Sequence, residues 1–121
     1  MKNVIIVVII LVVVGLGIFY FVSNNRSVDI NIPAVSASEV NVNIKNFSFS
    51  PATLNVKSGT KVIWTNNDNV PHTVTSDSDN VLNSPSISPG QSFSFVFTNI
   101  GTEKYHCNFH TMMKAQIVVE K

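Results

Sequence analysis

The chain has 121 residues, of which 45% are hydrophobic and 12% charged, with eight Lys and Arg against seven Asp and Glu. This length accommodates one small domain with an appendage and excludes a second folded domain. The near-neutral charge provides no cationic face for phosphates, so no nucleic acid partner is expected. The single cysteine excludes a disulfide within the chain.

Hydrophobicity is concentrated near the amino terminus, where Val4 to Val22 form a run of nineteen residues without a charge. A helix rises about 1.5 Å per residue, so this run nearly spans the roughly 30 Å hydrocarbon core of a bilayer. We therefore predict an uncleaved transmembrane anchor helix over residues 1–23. The alternative is a cleaved signal peptide. Its apolar region would have only about 7–15 residues, and the small-residue site at 35–37 lies far beyond the run.

Residues 24–38 are polar and irregular, which indicates a linker between the anchor and a folded domain at residues 39–121. Only this carboxyl-terminal side carries a foldable domain. We therefore predict that the domain lies on the extracytoplasmic face of the membrane, periplasmic or extracellular, in an oxidising compartment. A domain of this size without a disulfide is marginally stable, and a bound metal would add stability.

The predicted domain alternates apolar and polar residues with a period of two, which is typical of β-strands. The alternation predicts strands at Val40–Ile44, Leu54–Val56, Val62–Trp64, Phe93–Phe97 and Ile117–Val119. Turn-forming Gly, Pro, Asn and Ser separate them. Short strands at regular spacing, without a βαβ rhythm, predict an all-β fold built as an antiparallel sandwich or barrel.

Two segments carry residues with metal-binding chemistry. His72 follows an Asn-rich turn, and Cys107, His110 and Met113 follow a Cys-x-x-His-x-x-Met spacing before the last predicted strand. At this spacing one loop can turn its donors toward a single point. A thiolate, two imidazoles and a weak axial thioether are the donors of a mononuclear blue copper site. Taken singly, a buried Cys or a Met pair is ordinary packing, so the interpretation depends on the whole set.

Over residues 39–121 the sequence resembles the cupredoxins, in particular the plastocyanin-like branch with the short ligand loop seen in amicyanin. The segments that carry the resemblance are FSFSPATL at 47–54, VIWTN at 62–66, PH at 71–72 and GTEKYHCNFHTMM at 101–113. The resemblance implies a Greek-key antiparallel β-sandwich with one type 1 copper ion at one end. It implies that the metal ligands are His72, Cys107, His110 and, in the axial position, Met113.

The ligand loop departs from the amicyanin-like pattern, in which proline stands on either side of the downstream histidine. Here these positions are Phe109 and Thr111. A residue other than proline regains its N–H donor. We therefore expect the Phe109 N–H to reach the Cys107 sulfur, beside the donor that the resemblance implies from Thr73.

Two neighbours of the implied ligands need a separate interpretation. On an alternating strand Tyr105 and Cys107 point inward, so His106 is expected at the surface. Met112 is the one rival to Met113 for the axial position. Spacing favours Met113 and leaves Met112 to an apolar rim around His110.

The leading functional prediction is a membrane-anchored, non-enzymatic carrier of single electrons between redox partner proteins that are themselves membrane-bound. The domain is expected to be monomeric, with the edge of His110 as the point of electron entry and exit. The alternative is extracytoplasmic copper sequestration or delivery with the same ligands. A catalytic role for Cys107 as a nucleophile is disfavoured, because no cationic neighbour or oxyanion site is evident. Zinc would accept the same Cys and two His, and the affinity order alone favours copper.

Overall fold

The computed structural model describes residues 37–121, so the predictions for the anchor helix, the possible cleavage site and most of the linker lie outside the described residues. Residues 37–121 form eight strands. These are β1 (Glu39–Lys45), β2 (Ser48–Ser50), β3 (Thr53–Lys57), β4 (Thr60–Asn66), β5 (Thr75–Ser76), β6 (Ser92–Phe97), β7 (Gly101–His106) and β8 (Lys114–Glu120). Within this part of the chain, no helix has the length and apolarity that a bilayer crossing requires.

The strands form two four-stranded sheets, in the orders β2-β1-β4-β6 and β3-β8-β7-β5. The predicted all-β sandwich is confirmed, but the prediction that it is antiparallel is wrong for two ladders. Strand β1 pairs with β4 in parallel, and β3 pairs with β8 in parallel. Parallel neighbours need a crossover connection. The chain supplies it by leaving for the other sheet at β3 before it returns as β4.

Alternation along each strand places one set of side chains in the core between the sheets. Strand β4 is the clearest case, since Val62, Trp64 and Asn66 are buried while the residues between them are partly exposed. Core residues come from both sheets, and Cys107 and Met113 are among them. The predicted strand positions are therefore confirmed, and the core extends directly into the end of the sandwich where the predicted ligands lie.

A buried hydrogen bond joins the two sheets close to this end. The indole Nε1–H of Trp64 in β4 donates to the hydroxyl of Tyr105 in β7 at 3.1 Å, and both side chains are fully buried. Burial raises the pKa of Tyr105 to about 12, so the phenol stays neutral. Because β7 leads directly into Cys107, this bond holds the strand that delivers the thiol.

Replacing Tyr105 with Phe tests this cross-sheet bond. The Tyr105→Phe variant leaves a buried indole N–H without an acceptor, so we expect a loss of about 1–3 kcal/mol in the free energy of unfolding. Denaturant titration followed by Trp64 fluorescence measures it. Thr65→Val is the control, because it removes an exposed side-chain hydrogen bond to Ser92 and should change stability by only about 0.5 kcal/mol. Equal losses in the two variants would contradict the assigned role.

Candidate metal centre

Two loops at one end of the sandwich carry the predicted ligands. His72 lies between β4 and β5, where it exchanges two backbone hydrogen bonds with Ile87 at 3.1 and 2.8 Å. Cys107 follows β7, and the chain then folds back on itself. The Cys107 N–H donates to the Met113 carbonyl at 3.1 Å, and the Met113 N–H donates to the His110 carbonyl at 2.8 Å. Backbone hydrogen bonds thus fix both ligand loops, the first to the segment between β5 and β6 and the second to itself.

The loops bring His72, Cys107 and His110 together around one point. The Cys107 Sγ atom lies 3.7 Å from Nδ1 of His72 and 3.7 Å from Nδ1 of His110. The three donor atoms all lie within 4.8 Å of one another. A metal with bonds of about 2.3 Å to sulfur and 2.0–2.1 Å to nitrogen holds the sulfur about 3.8 Å from each nitrogen in a trigonal plane. The space between the side chains therefore fits a single ion.

Burial differs among the donors in a way that suits a shielded ion with one outward edge. His72 and Cys107 are fully buried, whereas His110 is partly exposed. Burial also separates the two candidate thioethers, since Met113 is 3% exposed and Met112 is 95% exposed. The geometry places Met113 on the inner side of the loop, and its axial role stays a prediction.

Thr73 joins the two loops through its backbone and its side chain. Its N–H donates to the Cys107 sulfur at 3.3 Å, and its hydroxyl oxygen accepts the Asn108 N–H at 2.8 Å. The prediction that the Phe109 N–H also donates to the Cys107 sulfur is wrong, because within residues 37–121 the Phe109 N–H forms no hydrogen bond with that sulfur. The loop instead turns tightly enough for the His110 N–H to approach the Cys107 carbonyl at 3.3 Å.

His106 points away from the site, as predicted from the alternation of β7. Its side chain is 24% exposed. Its Nδ1 atom lies 2.6 Å from a carboxylate oxygen of Asp77, and its Nε2 atom lies 3.1 Å from the amide oxygen of Asn108. Both ring nitrogens are thus engaged outside the site, and His106 is a surface residue.

Two residues at the site were not found by the sequence analysis. A carboxylate oxygen of Asp68 lies 2.9 Å from Nε2 of His72. The ring of Phe47 meets that of His110 edge-on at a centroid distance of 4.9 Å, and that of His72 at 5.7 Å. The available signal was weak: Asp68 is the only acidic residue between positions 62 and 76, and it stands four residues before a predicted ligand.

The environment of Asp68 keeps its carboxylate ionised. Burial raises the pKa of Asp68, but hydrogen bonds from the backbone of Phe47 and Asn46 and from His72 outweigh burial, so the net pKa lies below its ordinary value. An ionised carboxylate accepts hydrogen bonds only. The proton in the contact between Asp68 and His72 therefore belongs to the imidazole.

A Thr73→Val variant tests the link between the loops. It removes the hydroxyl that accepts the part-buried hydrogen bond from the Asn108 N–H and leaves the Thr73 amide in place, so we expect a loss of about 0.5–1.5 kcal/mol in stability. Hydrogen exchange should become faster at the Asn108 amide in particular. Thr75→Val is the matched control, because within residues 37–121 the Thr75 hydroxyl forms a hydrogen bond only with that of Thr73, at 3.1 Å, and the Asn108 pair survives. Unchanged protection of Asn108 in Thr73→Val would contradict the link.

Comparisons with known proteins agree with this geometry. The sequence model of the cupredoxin-like domain family matches residues 8–119 of this chain. Amicyanin from Paracoccus denitrificans is 37% identical over 71 residues, covering 55% of this chain and 54% of the relative. Plastocyanin from Scenedesmus fuscus is 34% identical over 84 residues, covering 60% of this chain and 86% of the relative. The chain spans about half the length of that amicyanin and of a chloroplastic plastocyanin from Tetradesmus obliquus.

Solved structures of amicyanin share the fold. A reduced variant of amicyanin with tryptophan replaced by tyrosine has a TM-score of 0.65 and 32% identity, over 72% of this chain and 87% of that chain. The Cu(I) form of another amicyanin variant has a TM-score of 0.64 and 33% identity over the same shares. The match of the domain model over most of the chain establishes that this protein belongs to the cupredoxin-like family.

Proposed function

We propose that this protein is a blue copper electron carrier, held at the extracytoplasmic face of a membrane by residues 1–23 and connected to its domain by residues 24–38. The observation that carries the proposal is the convergence of one thiol and two imidazole nitrogens on a point sized for one ion. This donor set is the one that type 1 copper requires. The copper-containing form of an amicyanin variant with the same fold supports the choice of metal.

The proposed ligands are His72 Nδ1, Cys107 Sγ and His110 Nδ1, with the thioether of Met113 as the weak axial donor. Bound copper supplies one-electron chemistry by alternating between its cupric and cuprous states. Four protein donors leave no strong position open for a substrate, in contrast to a catalytic metal site. We therefore infer an electron carrier and not an enzyme.

Rigidity of the donors is the contribution of the protein to this function. His72 is pinned by its backbone bridge to Ile87, and the Cys107 sulfur is held by the Thr73 amide. The hydrogen bond from the Asn108 N–H to the Thr73 hydroxyl prevents the two loops from separating. Donors held in this way move little when the charge at their centre changes. A small rearrangement means a low barrier to electron transfer.

The proposed route for electrons is the partly exposed edge of His110. Apolar side chains mark the surface around it: Phe47, which contacts the His110 ring, is 50% exposed, and the loop residues Phe109 and Met112 are 54% and 95% exposed. A small apolar surface suits the weak, brief docking of redox proteins. We infer that redox partner proteins bind here, and a membrane tether would keep the carrier near membrane-bound partners.

Visible spectroscopy of the copper-loaded protein tests the ligand assignment. We expect a strong thiolate-to-copper charge-transfer band that Cys107→Ser abolishes, because the band requires the thiolate. Met113→Leu should shift the band while copper stays bound, and Met112→Leu is the matched control that should leave it in place. A spectrum that His72→Ala leaves unchanged would overturn the assignment.

Electron exchange and metal release together distinguish a carrier from a delivery protein. The partly exposed edge of His110 and the rigid donors predict fast self-exchange of electrons, measured by NMR line broadening. Burial of His72 and Cys107 predicts slow loss of copper to a chelator, measured by the decay of the visible band. Rapid transfer of copper to the chelator with slow electron exchange would support copper delivery instead. Preferential retention of zinc from an equimolar mixture would contradict both.

A further inference from the structure

The carboxylate of Asp68 binds three donors that belong to two separate parts of the chain. One oxygen accepts the Asn46 N–H at 2.6 Å, and the other accepts the Phe47 N–H at 3.0 Å. The second oxygen also lies 2.9 Å from Nε2 of His72. The Asp68 side chain is only 9% exposed. A single partly buried carboxylate thus connects the turn between β1 and β2 with the loop that carries His72.

The contact with His72 determines which ring nitrogen carries the proton. A carboxylate accepts and does not donate, so the proton in this hydrogen bond sits on Nε2 of His72. The neutral imidazole then keeps its lone pair on Nδ1, the atom that lies 3.7 Å from the Cys107 sulfur. The opposite tautomer would present an N–H to the metal position and could not ligate.

The contacts with Asn46 and Phe47 hold a turn that is unfavourable by itself. Both residues have positive φ angles, 53° and 56°, which non-glycine residues seldom adopt and which are especially unusual for a bulky side chain. The two hydrogen bonds to Asp68 favour this conformation. The turn in turn places the Phe47 ring edge-on against both His72 and His110. Without the carboxylate, we expect the Phe47 ring to lose its edge-on contacts with the two imidazoles.

We propose that Asp68 is a positioning residue of the proposed copper site, which couples the loop of His72 to the turn that carries Phe47. Its carboxylate selects the ligating tautomer of His72, and the same carboxylate holds the Phe47 ring edge-on against both imidazoles. The assignment rests on the proposed function, because it concerns residues toward the same metal. Its two structural consequences are nevertheless measurable in the metal-free protein.

The Asp68→Asn variant tests the coupling with little change in shape. An amide has one acceptor oxygen and one NH₂ donor, so it cannot accept all three N–H groups. We expect His72 to move toward the Nδ1–H tautomer and the nuclear Overhauser contact between Phe47 and His110 to weaken. Long-range ¹H–¹⁵N correlation spectra of the metal-free full chain report the tautomer, and ¹H–¹H nuclear Overhauser spectra of the same sample report the ring contact. Copper affinity, measured against a competing chelator, should fall about 10–100-fold.

Asp77→Asn is the matched control, because Asp77 also binds a histidine, His106, with a 2.6 Å contact but outside the site. It should leave the His72 tautomer, the Phe47 contact and the copper affinity unchanged. Asp68→Glu keeps the charge and should recover most of the Nε2–H form. A folded Asp68→Asn protein with the parent His72 tautomer and copper affinity would overturn the proposal.

The wild-type spectrum keeps the test decisive if Asp68→Asn fails to fold. A His72 that carries its proton on Nδ1 in the metal-free wild-type protein would overturn the proposal without any variant. Failure of the wild-type protein to bind copper would instead overturn the proposed function. The two failures are therefore distinguishable, because one is read from a proton position and the other from metal binding.

Discussion

His72 and Cys107 lie 35 positions apart in the chain, and the site exists only while their two loops stay locked together. Thr73 joins the two loops, since its N–H donates to the Cys107 sulfur and its hydroxyl accepts the N–H of Asn108, the residue after Cys107. Further into the core, the hydrogen bond between Trp64 and Tyr105 joins the two sheets from which the loops emerge. The hydrogen bond in the core thus limits the movement of the sheets, and the hydrogen bonds of Thr73 limit the movement of the loops that carry the donors.

The same constraint explains why the site can be both shielded and accessible. Full burial of His72 and Cys107 keeps water from the donors, and burial in a low-dielectric setting strengthens every contact they make. An electron does not need an open channel, only a short path to a partner. In the proposed carrier, the partly exposed ring of His110, with Phe47 beside it, would provide that path without opening the pocket. The rigid, buried donors and the apolar surface around His110 would therefore both serve the proposed electron transfer.

Sequence reasoning worked where the decisive residues are close in the chain and failed where they are distant. The alternation around Trp64 predicted a strand correctly, but period-two alternation carries no strand direction, so the parallel ladders were missed. The approach of Cys107 and His110 to one point was predictable because the two residues share one short segment. The expected bond from Phe109 failed because the path of a turn decides where its N–H groups point. Asp68 and Phe47 were missed because they are 21 positions apart and meet only in the folded chain.

Two carboxylate–imidazole pairs include a neighbour of Cys107, since His72 lies 3.7 Å from its sulfur and His106 precedes it in the chain, and the contrast between the pairs shows what makes a metal site. Asp77 binds His106 as closely as Asp68 binds His72, at 2.6 and 2.9 Å. The second nitrogen of His106 is already engaged by Asn108 on a partly exposed surface. The second nitrogen of His72 is buried and faces a thiol. Pairing with a carboxylate therefore does not define a ligand by itself; the surroundings of the nitrogen left free decide whether an imidazole can hold a metal.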